Sequence, residues 1–345
     1  MFPVVSYPMT YLSWLTLTPS FGYRLTYYSG SQLETGSRVP VFAQDPVTRN
    51  LATYSLDLRG PNFSKIFDTP NLAYSQKWKH AIEPQITYQY IQDVEEIAKV
   101  LRVDEVDNVF GLNEVTYSIT NLLYAKRPVQ EEPDYKPDQY QYYNPKPLEE
   151  PVFSPWELIS WKISQTYSLQ SDTFNKEIFP GLKPLSPIFS ELRINPKENY
   201  NIDFGLNYDV YAHQITGISI GSTLRDTDKW YANVAYTYTN NVDIEGIRTR
   251  ADSHQIRTNG GFGIYKNRFV FSGEIDYDFL TNQLFRNSLG VLYNDDCFTI
   301  GAEWRHWHVG DPSSQRIENQ ITFYLSLPNI GSVLDFRSGQ PPRRF

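Results

Sequence analysis

Charged residues recur at alternate positions in the C-terminal part of the chain. Glu274, Asp276 and Asp278 alternate with apolar residues, and further along Glu303 and Arg305 repeat the pattern. A dry protein core rejects unpaired charges in mid-strand, whereas a water-filled interior accepts them. The spacing therefore predicts that these five side chains line a hydrated passage. Simple solvation of an interior wall, without specific contacts, is the alternative.

The stretch around these charges has the pattern of consecutive β-strands. From Arg268 to Leu327 apolar and polar residues alternate with period two, interrupted by turn residues at 281–282 and 295–296. Such alternation indicates strands with one apolar and one polar face, and tight turns between them make an antiparallel meander. The last strand predicted in this stretch is Glu318 to Leu327.

The alternation extends through most of the chain, from Tyr11 to Tyr28 onward, and is cleanest in Asn201 to Tyr211. It predicts an all-β fold built as a meander of about 14–16 antiparallel strands. Residues 1–345 form a single region in this interpretation, with long exposed loops at 128–156 and 171–187 and a C-terminal tail at 328–345. The first loop is rich in proline and carboxylates, a composition that buries no core.

The bulk composition excludes several classes of protein. A net charge of -8 argues against a general nucleic-acid binder, which needs basic patches. No run of apolar residues is long enough for a membrane-spanning helix. The mean hydropathy of -0.47 is compatible with a membrane barrel, since alternating strands average to a polar mean.

Two architectures explain the alternation, a soluble β-sandwich and a transmembrane β-barrel. The predicted strands run to about nine to twelve residues, which suits a tilted membrane crossing better than the shorter strands of soluble sheets. Tyr and Trp lie towards strand ends on the apolar side, as in Tyr88, Trp230 and Trp304, where a barrel places its aromatic girdle. With the carboxylates in mid-strand on the other side, the pattern favours the transmembrane barrel.

The histidines and the cysteine give little sign of catalysis. The five histidines show no Ser/Asp partnership, so a barrel-type lipase or protease is not favoured and no enzyme is predicted. His306 and His308 share a strand face, but two histidines on one strand are more often interfacial polar residues than metal ligands. Cys297 is the single cysteine, which excludes a disulfide within the chain. We predict neither a cofactor nor a metal site.

Several segments resemble segments of the barrel of one transporter family, and they occur in the same order as in that family. They are LDLRGPNFSKIFD (56–68), KHAIEPQITYQYI (79–91), NEVTYSITNLLYAKR (113–127), SWKISQTYSL (160–169), and LGVLYNDDCFTIGAEWR with NQITFYLSLPNIGS (289–332). Together they are similar to the lipopolysaccharide-assembly protein LptD, also called OstA or Imp. The resemblance covers nearly the whole chain, which is similar to the C-terminal barrel portion of such a protein.

The resemblance implies a larger barrel in the bacterial outer membrane, of about two dozen strands, behind a periplasmic jellyroll. It implies a translocon component that inserts lipopolysaccharide into the outer leaflet through a hydrated lumen and a lateral seam. The implied partners are lipopolysaccharide, an LptE-like plug lipoprotein, the barrel-assembly machinery, outer-membrane lipid, and periplasmic bridge proteins that dock on the jellyroll. The first residues, MFPVVSYPMTYLSWL, predict no signal peptide, and no jellyroll is expected in this chain.

The resemblance also assigns residues to the path. The carboxylates and Arg305 would face the sugar or the plug, and Gln320, Thr322 and Tyr324 would lie on a terminal strand that forms one side of the seam. Members often carry a Cys-Cys pair near this end, and Asp296 and Cys297 stand at the matching positions. Cys297 is thus either a disulfide cysteine whose partner is not in this chain or a thiol near a turn without a role.

A closed porin for small solutes is the alternative function. A barrel of about sixteen strands fits the chain length better than the full transporter does. The segment SGQPPRRF, however, makes a poor closing strand because of its two prolines.

Overall fold

The fold was described from a computed structural model. The structure describes residues 3–33, 41–72, 74–93, 99, 111–128, 153–169, 183–226, 229–240, 243–244, 247–248, 252–265, 267–309, 316–327 and 331–338. By its internal contacts the chain divides into two compact units, Met1–Ser186 and Pro187–Phe345. Both contain antiparallel strands joined in sequence order.

The first unit is a meander of antiparallel strands. Its strands are β1 (Val4–Ser6), β2 (Met9–Leu12), β3 (Leu15–Tyr28), β4 (Ser31–Leu33), β5 (Val41–Ala43), β6 (Val47–Arg59), β7 (Phe63–Asp68), β8 (Lys77–Ile91), β9 (Leu112–Pro128) and β10 (Phe153–Ser168). β3 pairs with β6, β6 with β8, β8 with β9, and β9 with β10. β7 continues the line of β6 along the first half of β8.

The second unit repeats this plan with shorter turns. Its strands are β11 (Ile188–Lys197), β12 (Tyr200–Asp209), β13 (Gln214–Asp226), β14 (Trp230–Thr239), β15 (Asp243–Ile244), β16 (Ile247–Arg248), β17 (Ser253–Ile264), β18 (Phe269–Asp278), β19 (Gln283–Asn294), β20 (Thr299–Val309), β21 (Arg316–Leu327) and β22 (Gly331–Ser338). Apart from the ribbon of β15 and β16, each strand pairs with the next along the chain.

The structure confirms the all-β, antiparallel fold class that the sequence predicts. Among the described strands, fifteen have eight or more residues, which agrees with the expected count of about 14–16. In the described part of the chain no helix is both long and apolar enough to cross a membrane.

The exposure of side chains is the reverse of that in a water-soluble sheet. On β18, β19 and β21, the apolar face carries Ile275, Leu289 and Phe323, which are 52%, 63% and 48% exposed. Among the described residues, the buried apolar side chains are Leu51, Ala81, Leu122 and Ala125, whereas Asp276 and Gln320 are among the buried polar ones. A sheet that leaves its large apolar side chains outside requires an apolar solvent there.

One polar side chain on the apolar face, that of Gln165, is largely buried. Gln165 lies near the C-terminal end of β10 on the side of Ile163 and Tyr167. Its Oε1 accepts a hydrogen bond from the Tyr117 hydroxyl, and its Nε2 donates to the Ser186 carbonyl over 3.0 Å. The bridge between Tyr167 and Leu185 holds this segment in place. Both the oxygen and the nitrogen of this side-chain amide therefore have partners within the protein, as a polar group facing an apolar medium requires. Asn287 Oδ1 and His308 Nδ1, also on the apolar side, are buried without such a partner among the described residues.

Two segment boundaries differ from the sequence predictions. β22 occupies 331–338, within the predicted C-terminal tail, and pairs with β21. β10 begins at Phe153, inside the predicted loop at 128–156, and its Pro155 lies opposite Lys126 of β9. The rest of that loop, 129–152, and most of the loop predicted at 171–187 lie outside the described residues.

Candidate functional site

Six charged side chains follow one another across the polar face of four adjacent strands. We refer to them as the charged stripe: Arg257 on β17, Glu274 and Asp276 on β18, Arg286 on β19, and Glu303 and Arg305 on β20. The ladder places Asp276 directly opposite both Arg257 and Arg286. Side chains directly opposite on adjacent strands are close enough to interact.

The charges of the stripe are paired. Arg257 Nε lies 3.8 Å from Asp276 Oδ2, and Arg286 Nη1 lies 3.5 Å from Glu274 Oε1. Arg305 makes the strongest contact, donating from Nε to Glu303 Oε1 over 2.7 Å and from Nη2 to Oε2 over 2.8 Å. Two parallel bonds of this kind fix a guanidinium in orientation as well as position.

Within each pair the arginine side chain is more exposed to solvent than the carboxylate. The side chain of Arg257 is 62% exposed and that of Asp276 is 7% exposed. Arg305 is 50% exposed against 26% for Glu303. A ligand approaching the polar face therefore meets guanidinium groups first. In the stripe, the guanidinium groups are thus more exposed than the carboxylates that they contact.

Two groups on this face have unused hydrogen-bonding capacity. Asp276 Oδ1 and Gln320 Nε2 are buried and have no hydrogen-bond partner among the described residues. Such groups are costly unless a water or a ligand satisfies them. One is an acceptor and the other a donor, so both kinds of capacity are present on the same face.

Asp278 is the one predicted lumen residue outside the charged stripe, and it is the last residue of β18. Its Oδ1 accepts a hydrogen bond from the backbone N–H of Leu280 over 2.8 Å, and its Oδ2 is 3.4 Å from Gln255 Nε2. An aspartate that bonds backbone two residues ahead stabilises a turn. The structure thus gives Asp278 a local role in the β18–β19 turn.

The three residues predicted for the seam lie beside the stripe. Across the β20–β21 ladder, Gln320 is opposite Arg305, Thr322 opposite Glu303, and Tyr324 opposite Gly301. Their strand was predicted to be terminal, and that prediction is wrong, because β21 pairs with β20 on one side and β22 on the other. A strand hydrogen-bonded on both sides is not the edge of a seam.

Sequence reasoning missed Arg257 and Arg286. Both lie at polar positions of alternating strands, opposite Asp276. Parity alone could have placed them on the polar face, but their partners require the register between strands. In the first unit it also missed Asp57, which accepts hydrogen bonds from Arg59 Nε and Gln85 Nε2 over 2.7 Å each and from Thr87 over 3.2 Å.

Cys297 and the two histidines lie away from the stripe. Cys297 is exposed and unbonded in the turn between β19 and β20. His306 and His308 are on the apolar side of β20, where His306 Nδ1 lies 2.8 Å from Asn319 Oδ1. In the described ranges no group of three or more potential ligands could hold a metal ion.

Comparison with known structures finds only distant likeness. The chain is similar to the FrpB iron transporter from Neisseria meningitidis (F3-3 variant), with 9% identity and a TM-score of 0.29, over 95% of this chain and 57% of that one. It is also similar to P. aeruginosa FpvA bound to a heterologous pyoverdine and iron, with 8% identity and a TM-score of 0.31, over 95% of this chain and 50% of that one. The chain thus spans about half the length of these proteins. No curated protein matches it significantly.

The family comparison is specific. Residues 1–267 match the family LptD, LPS transport system D. This is a family of lipopolysaccharide-transport proteins of the bacterial outer membrane. Because the match covers well over half of its residues, the chain belongs to the LptD family of outer-membrane β-barrel proteins.

Proposed function

We propose that the polar face lines a hydrated lumen through which the sugar and phosphate groups of lipopolysaccharide pass towards the outer leaflet. The exposed guanidinium groups of the charged stripe carry this proposal. Each arginine is held by a carboxylate yet presents its remaining N–H groups to the lumen, and guanidinium groups bind phosphate oxygens well.

The pairing also explains how such a site can release its cargo. An arginine without a partner would bind phosphate tightly and hold it. Recessed carboxylates such as Asp276 and Glu303 offset part of the positive field, so each contact is weaker and a polyanion moves from one arginine to the next. Transport requires binding that is favourable enough to enter and weak enough to leave.

The lipid part of the cargo belongs in the bilayer, so a lumen alone is not sufficient. A sideways opening remains part of the proposal, but not at β21, which is paired on both sides. In the large sheet the shortest described ladders are those of β1 and β2 on β3, where the strands have three and four residues and the β2–β3 register shifts between Met9 and Leu12. Pro3 and Pro8 donate no ladder hydrogen bonds there, which favours this place for the opening.

The protein partners follow from the family and are proposals for this chain. An LptE-like plug lipoprotein would face the same polar side, periplasmic bridge proteins would deliver the lipopolysaccharide, and the barrel-assembly machinery would insert the strands. The match to a lipopolysaccharide-transport family supports this proposal over the alternative of a closed porin for small solutes.

Photocrosslinking at neighbouring residues tests the lumen. A photoreactive amino acid is placed at Thr322 or Arg305 on the polar face, and at Phe323 or Trp304 on the apolar face as matched controls. Adducts are detected with an antibody against the core saccharide. We expect saccharide-containing adducts at Thr322 and Arg305 to disappear when delivery of lipopolysaccharide is blocked. Adducts at the control positions, which face membrane lipid, should not depend on delivery.

Two substitutions of Arg286 refine this test. In the Thr322 crosslinking background, Arg286→Ala should reduce capture, whereas Arg286→Lys should retain most of it because the positive charge remains. Absence of lipopolysaccharide adducts at both polar positions, in protein shown to be folded by its heat-modifiable mobility on gels, would overturn the proposal.

A further inference from the structure

Two tyrosines on the polar face lean across a neighbouring strand. Tyr324 is directly opposite Gly301 in the β20–β21 ladder. A β-carbon added to Gly301 would collide with the ring carbons Cζ and Cε1 of Tyr324 and with its hydroxyl. The tyrosine ring therefore occupies the space over the glycine, along the wall, instead of standing upright from the sheet.

Tyr231 has the same arrangement on another pair of strands. It is directly opposite Gly261 in the β14–β17 ladder. A β-carbon on Gly261 would come within 2.8 Å of Tyr231 Cε1. Tyr231 is nevertheless 42% exposed, so one side of its side chain covers the glycine while the rest faces the lumen side.

The polar face of the sheet carries several small residues between the two tyrosines. The ladders place Tyr231, Gly261, Ser272, Gly290, Glu303 and Thr322 in one row across six strands. Between Tyr231 and Tyr324 lie five interstrand spacings, about 24 Å along the sheet. Gly261, Ser272 and Gly290 carry small side chains or none, which gives an extended chain molecule room to lie across the part of the row between Tyr231 and Glu303.

Hydrogen-bonding groups border the same stretch. Glu303 and Thr322 are opposite each other at one end of the row, and Gln320 lies two positions from Thr322 on the same face. Gln320 is 5% exposed, and its Nε2 has no hydrogen-bond partner among the described residues. The exposed ring of Tyr231 and the half-buried ring of Tyr324 offer aromatic surface, and Gln320 offers a buried donor without a partner among the described residues. This combination suits a ligand with both apolar faces and hydroxyl groups.

From these observations we propose that Tyr231 and Tyr324 are stacking platforms for the sugar rings of a glycan chain. A pyranose ring has C–H groups on its faces and hydroxyl groups around its edge, so it packs on an aromatic surface while hydrogen bonding sideways. The inference rests on the proposed function and deepens it, since it separates a subsite for uncharged sugar from the arginines that meet phosphate. The alternative explanation of the same geometry is purely structural: each aromatic ring only shields the backbone of the glycine opposite it.

Binding of a lipid-free glycan tests the platforms. The probe is polysaccharide released from lipopolysaccharide by mild acid, titrated calorimetrically into the full chain in detergent micelles. We expect Tyr231→Ala and Tyr324→Ala each to bind about threefold to tenfold more weakly, the size of a lost aromatic contact. Tyr231→Phe and Tyr324→Phe keep the ring and should bind like the unmodified protein, as should Tyr277→Ala on the apolar face.

The outcomes are distinguishable. If the unmodified protein binds the polysaccharide and the folded alanine variants bind it as tightly, the platforms are wrong while the lumen proposal stands. If the phenylalanine variants lose as much as the alanine variants, the hydroxyl groups bind the glycan and stacking is overturned. If the unmodified protein binds no polysaccharide, both the platforms and passage of sugar along this face are overturned.

Discussion

Adjacent residues on β19 show how different the two faces of these strands are. Leu289 is 63% exposed on the apolar face, whereas Ser288, its neighbour in the chain, lies on the polar face opposite Glu274 and Arg305. The apolar face keeps large side chains outside without polar partners, and the polar face joins its charges in pairs. The difference shows that the two sides of one sheet are built for two solvents, lipid and water.

The largest expected effect comes from placing a charge on each face of β19 in turn. Leu289→Arg puts a guanidinium into lipid and should lower the free energy of unfolding by about 2–4 kcal/mol. Equilibrium unfolding in urea, with the protein in lipid vesicles, measures it. The matched variant Ser288→Arg should change the free energy of unfolding far less. Equal losses for the two variants would contradict the assignment of faces.

A smaller effect is expected from breaking a charge pair on the polar face. Arg257→Ala removes the cation 3.8 Å from the buried carboxylate of Asp276 and should cost about 1–3 kcal/mol in the same unfolding assay. The double variant Arg257→Ala with Asp276→Asn removes the unpaired charge and should recover part of this loss. If the double variant were less stable by the sum of both single changes, the pair would not interact.

A still smaller change in the free energy of unfolding is expected when a hydrogen bond between uncharged residues of the polar face is removed. In the first unit the hydroxyl groups of Thr116 and Thr166 lie 2.8 Å apart across β9 and β10. Thr116→Val removes this hydrogen bond and should lower the free energy of unfolding by about 0.5–1.5 kcal/mol. Thr116→Ser retains the hydroxyl and is the control. A stabilising effect of valine would show that this position faces lipid instead.

The smallest effect is expected at Cys297, which belongs to neither face. It is exposed in a turn, so Cys297→Ser should change the free energy of unfolding by less than about 0.5 kcal/mol. A water-soluble maleimide should label the native thiol in vesicles opened to the reagent on both sides. Failure to label folded protein would mean that the turn is covered.

The face of most strand residues was predictable from sequence, because a strand turns successive side chains to opposite sides. Alternation alone placed Glu274, Asp276, Glu303 and Arg305 on one face, as the ladders confirm. The pairing partners were not predictable, because one residue of register decides whether Asp276 meets an arginine or an apolar side chain.

Segment ends were the least predictable feature. Leu334 and Phe336 alternate with Asp335 and Arg337 in β22, but this run is short and flanked by glycine and proline, so its composition indicated a tail. The alternation on β21 gave no sign that another strand follows it. Pairing with a neighbour, rather than local propensity, creates a strand in such segments.

Solvent accessibility along β21 tests the central claim most directly. In a Cys297→Ser background, single spin labels at positions 319–325 are compared for collision with oxygen, which partitions into lipid, and with a water-soluble nickel complex. The two-solvent account predicts oxygen maxima at Ile321, Phe323 and Leu325, and nickel maxima at Gln320, Thr322 and Tyr324. High nickel accessibility at all positions, with no period of two, would contradict it.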